Sequence, residues 1–419
     1  MQTLVIGGGL MGLATAQVLI ERGEQVRVIE AREGVALETS FANGGMLTPS
    51  MSEPWNGPGV HRKLAASLLQ TSPSMQLRFR AIPSLISWGI AFLRNSTPDR
   101  FFAAVADNYR LATYSRDQTH SLADEKKLVY DQLDAGTLCV FRHEDEMAER
   151  RAINDHLATH GMTFRELGRD DIVTTEPLLD DVADKLVGGF WYPEDASGDA
   201  HLFCRELARL VVEQGGEIDC NMQVSAILER SGKVCGIDTN RGRIDADSVV
   251  VAAGAHSPAL LESAGLLLAV KPAKGYSLTF ECNGLGALPG APIVDESSHA
   301  VVSPFGDRIR IVGTAEFDGF DKSIRPFRLD HLFSVLEGLL PKLAAKLGRE
   351  DGQAWAGLRP MSSDGRPFIG PTGIAGLYVN AGHGALGWTM AMGSAHLLVD
   401  QILQTPTAID AMPFLPTRR

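Results

Sequence analysis

The chain has 419 residues, 21% of them charged and 44% hydrophobic, and a formal net charge of −12. That length exceeds the usual single-domain size of about 100–200 residues and points to two domains. The charge is spread without a basic block, which argues against nucleic acid as a partner, and the five cysteines at 139, 204, 220, 235 and 282 show no C-x-x-C, metal-ligand spacing or disulfide framework.

The first element is the apolar run Leu4-Val5-Ile6, which enters the turn Gly7-Gly8-Gly9-Leu10-Met11-Gly12. A helical stretch rich in Ala and Leu follows, then a Gly23 stop and a second apolar run, Val26 to Glu30. Strand, G-x-G-x-x-G turn, helix and strand predict a βαβ dinucleotide-binding unit. Gly7 permits the tight turn, Gly9 lets the backbone approach a pyrophosphate, and Gly12 brings helix and strand close together. The diphosphate belongs on the positive end of the helix that starts near Leu10. Glu30 closes the second strand, where a carboxylate accepts both hydroxyls of an adenosine ribose and repels a 2′-phosphate. FAD or NAD is therefore expected, and NADP is not. Met1-Gln2-Thr3 runs directly into the first strand, so no secretory signal is expected. No apolar run approaches the roughly 20 residues that span a bilayer. A cytoplasmic protein is the expectation.

The loop Thr39 to Pro49 offers small hydroxyls, an amide and paired glycines, which suit contact with phosphate and a flat ring, or equally a surface turn. Between Glu53 and Pro98, Trp88, Phe92 and Leu93 lie among Arg78, Arg80 and Arg94. Core packing or an active-site lid is the first reading of this stretch, and a face resting on anionic lipid is the second. Helices are predicted over Arg100 to Gln132 and Glu144 to Thr159, and strands over Thr137 to Phe141 and Gly189 to Tyr192. Asp199 is placed to cap a helix from Ala200 to Glu213. After a hairpin over Ser231-Gly232-Lys233, Asp247 to Ala255 reads as a buried parallel strand belonging beside the opening one. From Lys271 the pattern turns to antiparallel strands, Tyr276 to Phe280, Ala300 to Pro304 and Arg308 to Val312, followed by a helix over Asp330 to Leu347. Two dense segments close the chain, Trp355 to Pro371 and Leu377 to Thr389, the second running into a helix from Met390 to Leu403.

The glycine turn with Glu30, Ser-Phe-Ala-Asn-Gly-Gly at 40–45, Val-Val-Val-Ala-Ala-Gly-Ala at 249–255, Gly-Leu-Arg-Pro-Met-Ser-Ser-Asp-Gly-Arg-Pro at 357–367 and Gly-His-Gly-Ala-Leu-Gly-Trp-Thr at 382–389 occur in this order. In these motifs the chain resembles the D-amino-acid oxidase-like FAD-dependent oxidoreductases, and most of all the bacterial D-amino-acid dehydrogenase small subunit family. The resemblance covers nearly the whole chain. It departs from the family's pattern at Gly44, where alanine is frequent, and in the ending Ala385-Leu386-Gly387-Trp388-Thr389.

The resemblance implies an α/β fold: a Rossmann-like FAD-binding domain from 1–80, 196–270 and 355–419, and an α+β substrate-binding domain with a mixed, largely antiparallel sheet from 81–195 and 271–354. It implies Gly7, Gly9, Leu10, Met11 and Gly12 at the FAD pyrophosphate, Glu30, Ala31 and Arg32 at the adenosine, and Thr39, Ser40, Asn43, Gly44, Gly45 and Met46 at the phosphate and flavin edge. Val224 would pack on adenine, with Ala253 and Gly254 near the pyrophosphate. Gly384, Leu386, Gly387, Trp388 and Thr389 would open a helix aimed at the flavin N1–C2=O.

Arg359, beside the flavin, would grip a substrate carboxylate, for which a guanidinium fork is suited; a structural salt bridge is the alternative. Tyr276 is a weaker substrate contact, or a plain strand residue. His383 receives no proton-transfer role, no residue is expected as a dedicated catalytic base, and no metal is expected. Met361 stands where family members that tether flavin use cysteine, so FAD is expected unattached.

The implied reaction is oxidative deamination of a D-amino acid to a 2-oxo acid and ammonia, with hydride passing from Cα to flavin N5. Electrons would continue to a quinone or another non-oxygen acceptor, with residues 64–94 as the dock on the inner face of the cell membrane. A glycine/sarcosine-type or D-proline/hydroxyproline-type amine oxidase or dehydrogenase is the alternative, and a non-catalytic flavin-binding assembly module a remoter one. Side-chain preference and oligomeric state are not legible in the sequence.

Overall fold

A computed structural model describes residues 2–61 and 75–418. Its first sheet runs, in spatial order, Phe368–Pro371, Leu377–Ala381, Ser248–Val251, Gln2–Ile6, Gln25–Ile29 and Glu217–Asp219. All pairings are parallel except that of Phe368–Pro371 at the edge. Successive side chains on a strand leave opposite faces, and both faces here are covered. Leu4 and Ile6 pack with Ile29, Val249 and Val251 toward the antiparallel sheet Val224–Arg230, Lys233–Thr239 and Gly242–Asp245. Val5, Val28 and Val250 pack on the other face against the helices Leu10–Glu21, Ala200–Glu213 and Gly387–Ile402. Double burial is why these strands read as unbroken apolar runs.

The second sheet runs Gln353–Ser362, Val270–Glu281, Arg308–Phe317, Ala300–Phe305, Ile293–Asp295, Thr137–Phe141, Gly188–Tyr192 and Arg165–Leu167, with Met75–Leu77 pairing alongside Arg308–Phe317. Only the Ile293–Asp295/Thr137–Phe141 and Met75–Leu77/Arg308–Phe317 pairings are parallel, so the sheet is mixed and largely antiparallel, as expected. Tyr276, Leu278, Phe280, Ile309 and Ile311 pack on one face against Leu329, Leu332, Val335 and Leu336 of the helix Pro326–Leu339.

Three expectations need correction. Residues 353–362 pair within the second sheet, so by strand pairing the boundary set at 355 moves past Ser362. The helix Pro98–Lys126, assigned with 81–195 to the substrate-binding part, buries Leu111, Ala112, Leu122 and Ala123 in the core of the first sheet. The helix predicted over Asp330 to Leu347 stops at Leu339 and restarts at Pro341, because Pro341 lacks the N–H and its ring collides with the preceding turn.

Asp199 caps the helix Ala200–Glu213 as predicted, accepting from the N–H groups of His201 (2.9 Å) and Leu202 (3.3 Å). Its second oxygen accepts from Arg308 and Arg310, each at 3.2 Å, and Arg310 also donates to the Asn43 carbonyl at 3.0 Å. One carboxylate thus ties a helix of the first sheet to strands of the second. Among the described residues no helix is long and apolar enough to cross a membrane, and no His/Cys/Asp/Glu group could hold a metal ion.

Candidate active site

A cavity of about 2050 Å³ lies between the two sheets. Every residue expected to touch cofactor or substrate lines it except Gly12, which sits behind the wall. A Cβ on Gly12 would lie 1.8 Å from the Gly7 carbonyl oxygen, so its role is the close approach of helix to strand. Gly7, at φ +114°, would bring a Cβ within 2.5 Å of the Ala252 oxygen. The helix Leu10–Glu21 begins at Gly9 with no side-chain cap and no acid in its first turn. Its uncompensated N–H groups form a site for a diphosphate at the cavity wall. Ser40 takes one of them, its Oγ accepting from the Leu10 N–H at 3.2 Å. The Glu30 carboxylate is fixed at the strand end by the N–H groups of Gly8 (2.6 Å) and Arg32 (2.7 Å), which leaves lone pairs on both oxygens.

The 39–48 loop is held from several sides. The Thr39 hydroxyl donates to the Leu358 carbonyl at 2.8 Å, Asn43 Oδ1 accepts from the Gly45 N–H at 3.0 Å, and Ser303 donates to the Gly44 carbonyl at 2.8 Å. Gly45 has φ +67°, and a Cβ there would meet the Phe305 ring at 2.2 Å. The Trp388 indole N–H donates to the Gly45 carbonyl at 3.2 Å. Thr389 Oγ1 donates to the Met46 carbonyl at 3.0 Å and accepts from the Thr48 N–H at 3.2 Å. The side chains of Trp388 and Thr389 are therefore committed to the loop. What the helix Gly387–Ile402 offers the cavity is its start, which has neither a side-chain cap nor an acid in the first turn.

Arg359 is half-buried in the opposite wall. Its guanidinium lies over Gly275, where a Cβ would come within 2.3 Å of Nη1. Nη1 donates to the Thr314 carbonyl at 2.9 Å, and Cζ sits 5.6 Å from the Trp55 ring centroid. Thr314 holds φ +60°, a left-handed conformation that aims its carbonyl at Arg359. Among the described residues no carboxylate pairs with Arg359, so the salt-bridge alternative is not met; burial alone lowers its pKa to about 10. It remains a cation at neutral pH, with donors to spare for an anion from the cavity.

Tyr276 is directed elsewhere. Strand parity groups it with Leu278 and Phe280 on the helix-covered face, and its hydroxyl donates to Glu316 Oε2 at 2.7 Å. Glu316, fully buried, also meets Arg78 (2.6 Å), Lys274 (3.3 Å) and Arg325 (3.3 Å). Tyr276 therefore borders the cavity as part of the wall that carries Gly275, while its hydroxyl is committed to Glu316.

His383 Nε2 lies 2.9 Å from Ser394 Oγ, and burial depresses its pKa to about 3. An unfolded histidine titrates near pH 6.5, so below that pH the unfolded chain binds a proton that the folded chain refuses. Stability contributed by this group is complete above pH 6.5 and is lost as pH falls toward 3, by up to about 1.4 kcal/mol per pH unit. His383→Gln is expected to flatten the acid side of a melting-temperature profile taken between about pH 4 and 7. An unchanged slope would assign the acid sensitivity to other groups.

Trp88 and Phe92 face inward, 7% and 6% exposed, and the Trp88 N–H donates to the Met361 carbonyl at 3.1 Å. The core or lid reading of the helix Ile82–Arg94 therefore holds for these two. Arg78 and Arg80, read as lipid-facing, are spent on Glu316, Asp318 and Asp321. Of the stretch 64–94 expected as a dock, residues 64–74 lie outside the described residues. Trp55, Thr314 and Gly275 escaped sequence reasoning. Only Gly275 left a signal, as a glycine inside a buried strand, which marks a close approach.

The family model "FAD dependent oxidoreductase" (DAO) matches residues 2–401. The chain belongs to the FAD-dependent oxidoreductase family. A relative from Sinorhizobium medicae named D-amino acid dehydrogenase is 38% identical over 414 residues, 98% of each chain, and one of the same name from Vibrio cholerae is 37% identical over 400 residues, 96% of this chain and 94% of its own. The fold of this FAD-dependent oxidoreductase is shared with glycine oxidase from Geobacillus kaustophilus (TM-score 0.77, 21% identity, 100% of this chain and 98% of that one). It is also shared with L-proline dehydrogenase from P. horikoshii (TM-score 0.78, 18% identity, 99% and 96%). The cavity fits the cofactor: glycine-lined at the βαβ turn, open to two uncapped helix starts, and bordered by the buried His383 Nδ1, which has no hydrogen-bond partner among the described residues.

Proposed function

We propose that this FAD-dependent oxidoreductase oxidises D-amino acids to 2-oxo acids and ammonia. The observation that carries the reading is Arg359, a half-buried cation facing the cavity with no paired carboxylate among the described residues. The names of relatives alike over nearly their whole length support the substrate class. Bound FAD supplies a two-electron acceptor. Gly7, Gly9, Leu10 and Met11 would hold its pyrophosphate and Glu30 its ribose, with Asn43 to Met46 and the start of the helix at Gly387 along the flavin. Arg359 grips the substrate carboxylate with a bidentate fork, which fixes the orientation of Cα in the cavity. His383, neutral and bonded to Ser394, moves no proton. The imine product hydrolyses in water.

The test is an anaerobic titration of the yellow holoenzyme. D-amino acids are expected to bleach it, with little peroxide formed in air. Bleaching by glycine or sarcosine with stoichiometric peroxide would favour the oxidase alternative, and no bleaching by any amine would leave only flavin binding.

For reoxidation the reading is a quinone reached at a membrane surface through the helix Ile82–Arg94. Supporting it, Ile86, Ile90 and Leu93 stand 58%, 49% and 44% exposed at helical spacing, next to Phe79 at 66%. Since Trp88 and Phe92 are buried, these four apolar side chains and Arg94 form the docking face. The triple change Ile86→Asp, Ile90→Asp and Leu93→Asp is expected to release the protein from membrane vesicles in a sedimentation assay while dye-linked turnover persists. Co-sedimentation unchanged by the three aspartates would exclude this face.

A further inference from the structure

We propose that an apolar subsite beside Arg359, walled by Trp55, Trp88, Phe317 and Met361, receives the substrate side chain, so that the enzyme selects amino acids with bulky apolar side chains. This rests on the reading of Arg359 as the carboxylate anchor. Arg359 and Met361 are two apart in Gln353–Ser362, so their side chains leave the same face of the sheet about 6.6 Å from one another. Ala273 is the direct cross-strand partner of Arg359, and Gly275 lies under the guanidinium. The floor next to the anchor is therefore as low as side chains allow.

The walls around that floor are aromatic and rigid. Ala273 and Met361 belong to one contact cluster with Trp88, Phe92 and Phe317. The Trp88 ring centroid lies 4.8 Å from that of Phe92 and 5.7 Å from that of Phe317. Because the indole N–H is spent on the Met361 carbonyl, the face of Trp88 presents no polar atom to the cavity. Trp55, stacked on Arg359, and Leu77 pack against the same cluster from the rim. A carboxylate that would attract a basic side chain is close in sequence but turned away: Glu316 shares the opposite face with Lys274 and Tyr276 and is neutralised there. Several charged residues line the cavity as well: Arg150 is paired with Glu53 and Glu296, Glu38 with Lys322, Glu146 accepts from Ser297, and Asp145 and Glu149 lie on the separate helix Glu144–Ala158. A carboxylate held on Arg359 thus leaves its side chain next to hydrocarbon and ring surfaces, where each added methylene gains binding and a charge loses its hydration.

The experiment uses holoenzyme and both enantiomers of alanine, leucine, methionine, phenylalanine, aspartate and lysine, scored by anaerobic flavin reduction and by dye-linked kcat/KM. D-leucine, D-methionine and D-phenylalanine are expected to exceed D-alanine about tenfold, and D-aspartate and D-lysine to fall below it. Trp55→Ala, at the half-exposed rim, is expected to lower kcat/KM for D-phenylalanine about tenfold relative to D-alanine. Phe317→Leu, which keeps most of the core volume, is expected to lower D-phenylalanine relative to D-leucine. D-lysine or D-aspartate matching the apolar acids, or both variants leaving the ranking unchanged, overturns the subsite. The same apolar ranking among L-amino acids alone supports the subsite and overturns the D-amino-acid reading. Failure of every amino acid to reduce the flavin overturns both.

Discussion

Arg359→Ala is expected to lower kcat/KM for D-amino acids by about 10²–10³, most of it as a raised KM, with the flavin still bound. Removing one partner of a buried, hydrogen-bonded charge pair costs about 2–5 kcal/mol, and each 1.4 kcal/mol is a factor of ten. The middle of that range applies, because other cations among the described residues are engaged: Arg78 and Arg325 with Glu316 across the sheet, Arg310 with Asp199, and Arg150 with Glu53 and Glu296. Arg359→Lys is expected to recover only a small part. An ammonium supplies a point charge where the wall, flattened by Gly275 and levelled by the Thr314 carbonyl, is shaped for a planar fork. The group also predicts a pH limb. With its pKa lowered to about 10, Arg359 loses its proton at a pH where a surface arginine keeps it, so KM should climb as pH rises through about 10. Stopped-flow flavin reduction separates binding from the redox step. A variant whose apparent substrate affinity is unchanged would remove Arg359 from carboxylate recognition.

How much of this was readable in the sequence depends on how local each feature is. The βαβ turn, the Asp199 cap and the strand Thr137–Phe141 are set by residues within a few positions of one another, and they stand where expected. Arg359 could be singled out because the Gly-Leu-Arg-Pro segment carries a family resemblance. Its surroundings could not, since Gly275 and Thr314 reach it only through the pairing of Val270–Glu281 with Gln353–Ser362 and Arg308–Phe317, and Trp55 reaches it from the loop after Pro49–Met51. Tyr276 shows the cost of not knowing register, because a shift of one position exchanges the cavity face for the helix face. Trp88 and Phe92 stand in the core, as the first reading of their stretch has it. Hydrophobicity marks Ile82–Arg94 as amphipathic, but which of two apolar stripes turns inward is decided by Phe317 and Met361, which lie more than two hundred residues away.

Gly12→Ala is expected to yield protein without FAD and with reduced stability, although the change adds one methyl group to a position that lines no cavity. The methyl carbon would lie 1.8 Å from the Gly7 oxygen and 2.9 Å from the Gly7 carbonyl carbon. Both are backbone atoms of the turn itself, so no side chain can rotate to make room. The helix Leu10–Glu21 must lift from the strand Gln2–Ile6 by more than an ångström. Overpacking of this kind costs about 1–3 kcal/mol, occasionally more, and the upper end applies where the obstacle is backbone. The displacement also carries the uncapped helix start away from Gly7 and Gly9, which share the pyrophosphate site with it. Stability and cofactor affinity should therefore fall together. Gly23→Ala is the control: Gly23 has φ +84° but nothing within 4 Å of an added Cβ, so only left-handed backbone strain of about 1–2 kcal/mol is expected, with FAD retained. Flavin-to-protein absorbance ratios and thermal melts of the two variants decide the matter. A stoichiometric flavin content in Gly12→Ala, with melting no lower than in Gly23→Ala, would show that the turn tolerates what its geometry forbids.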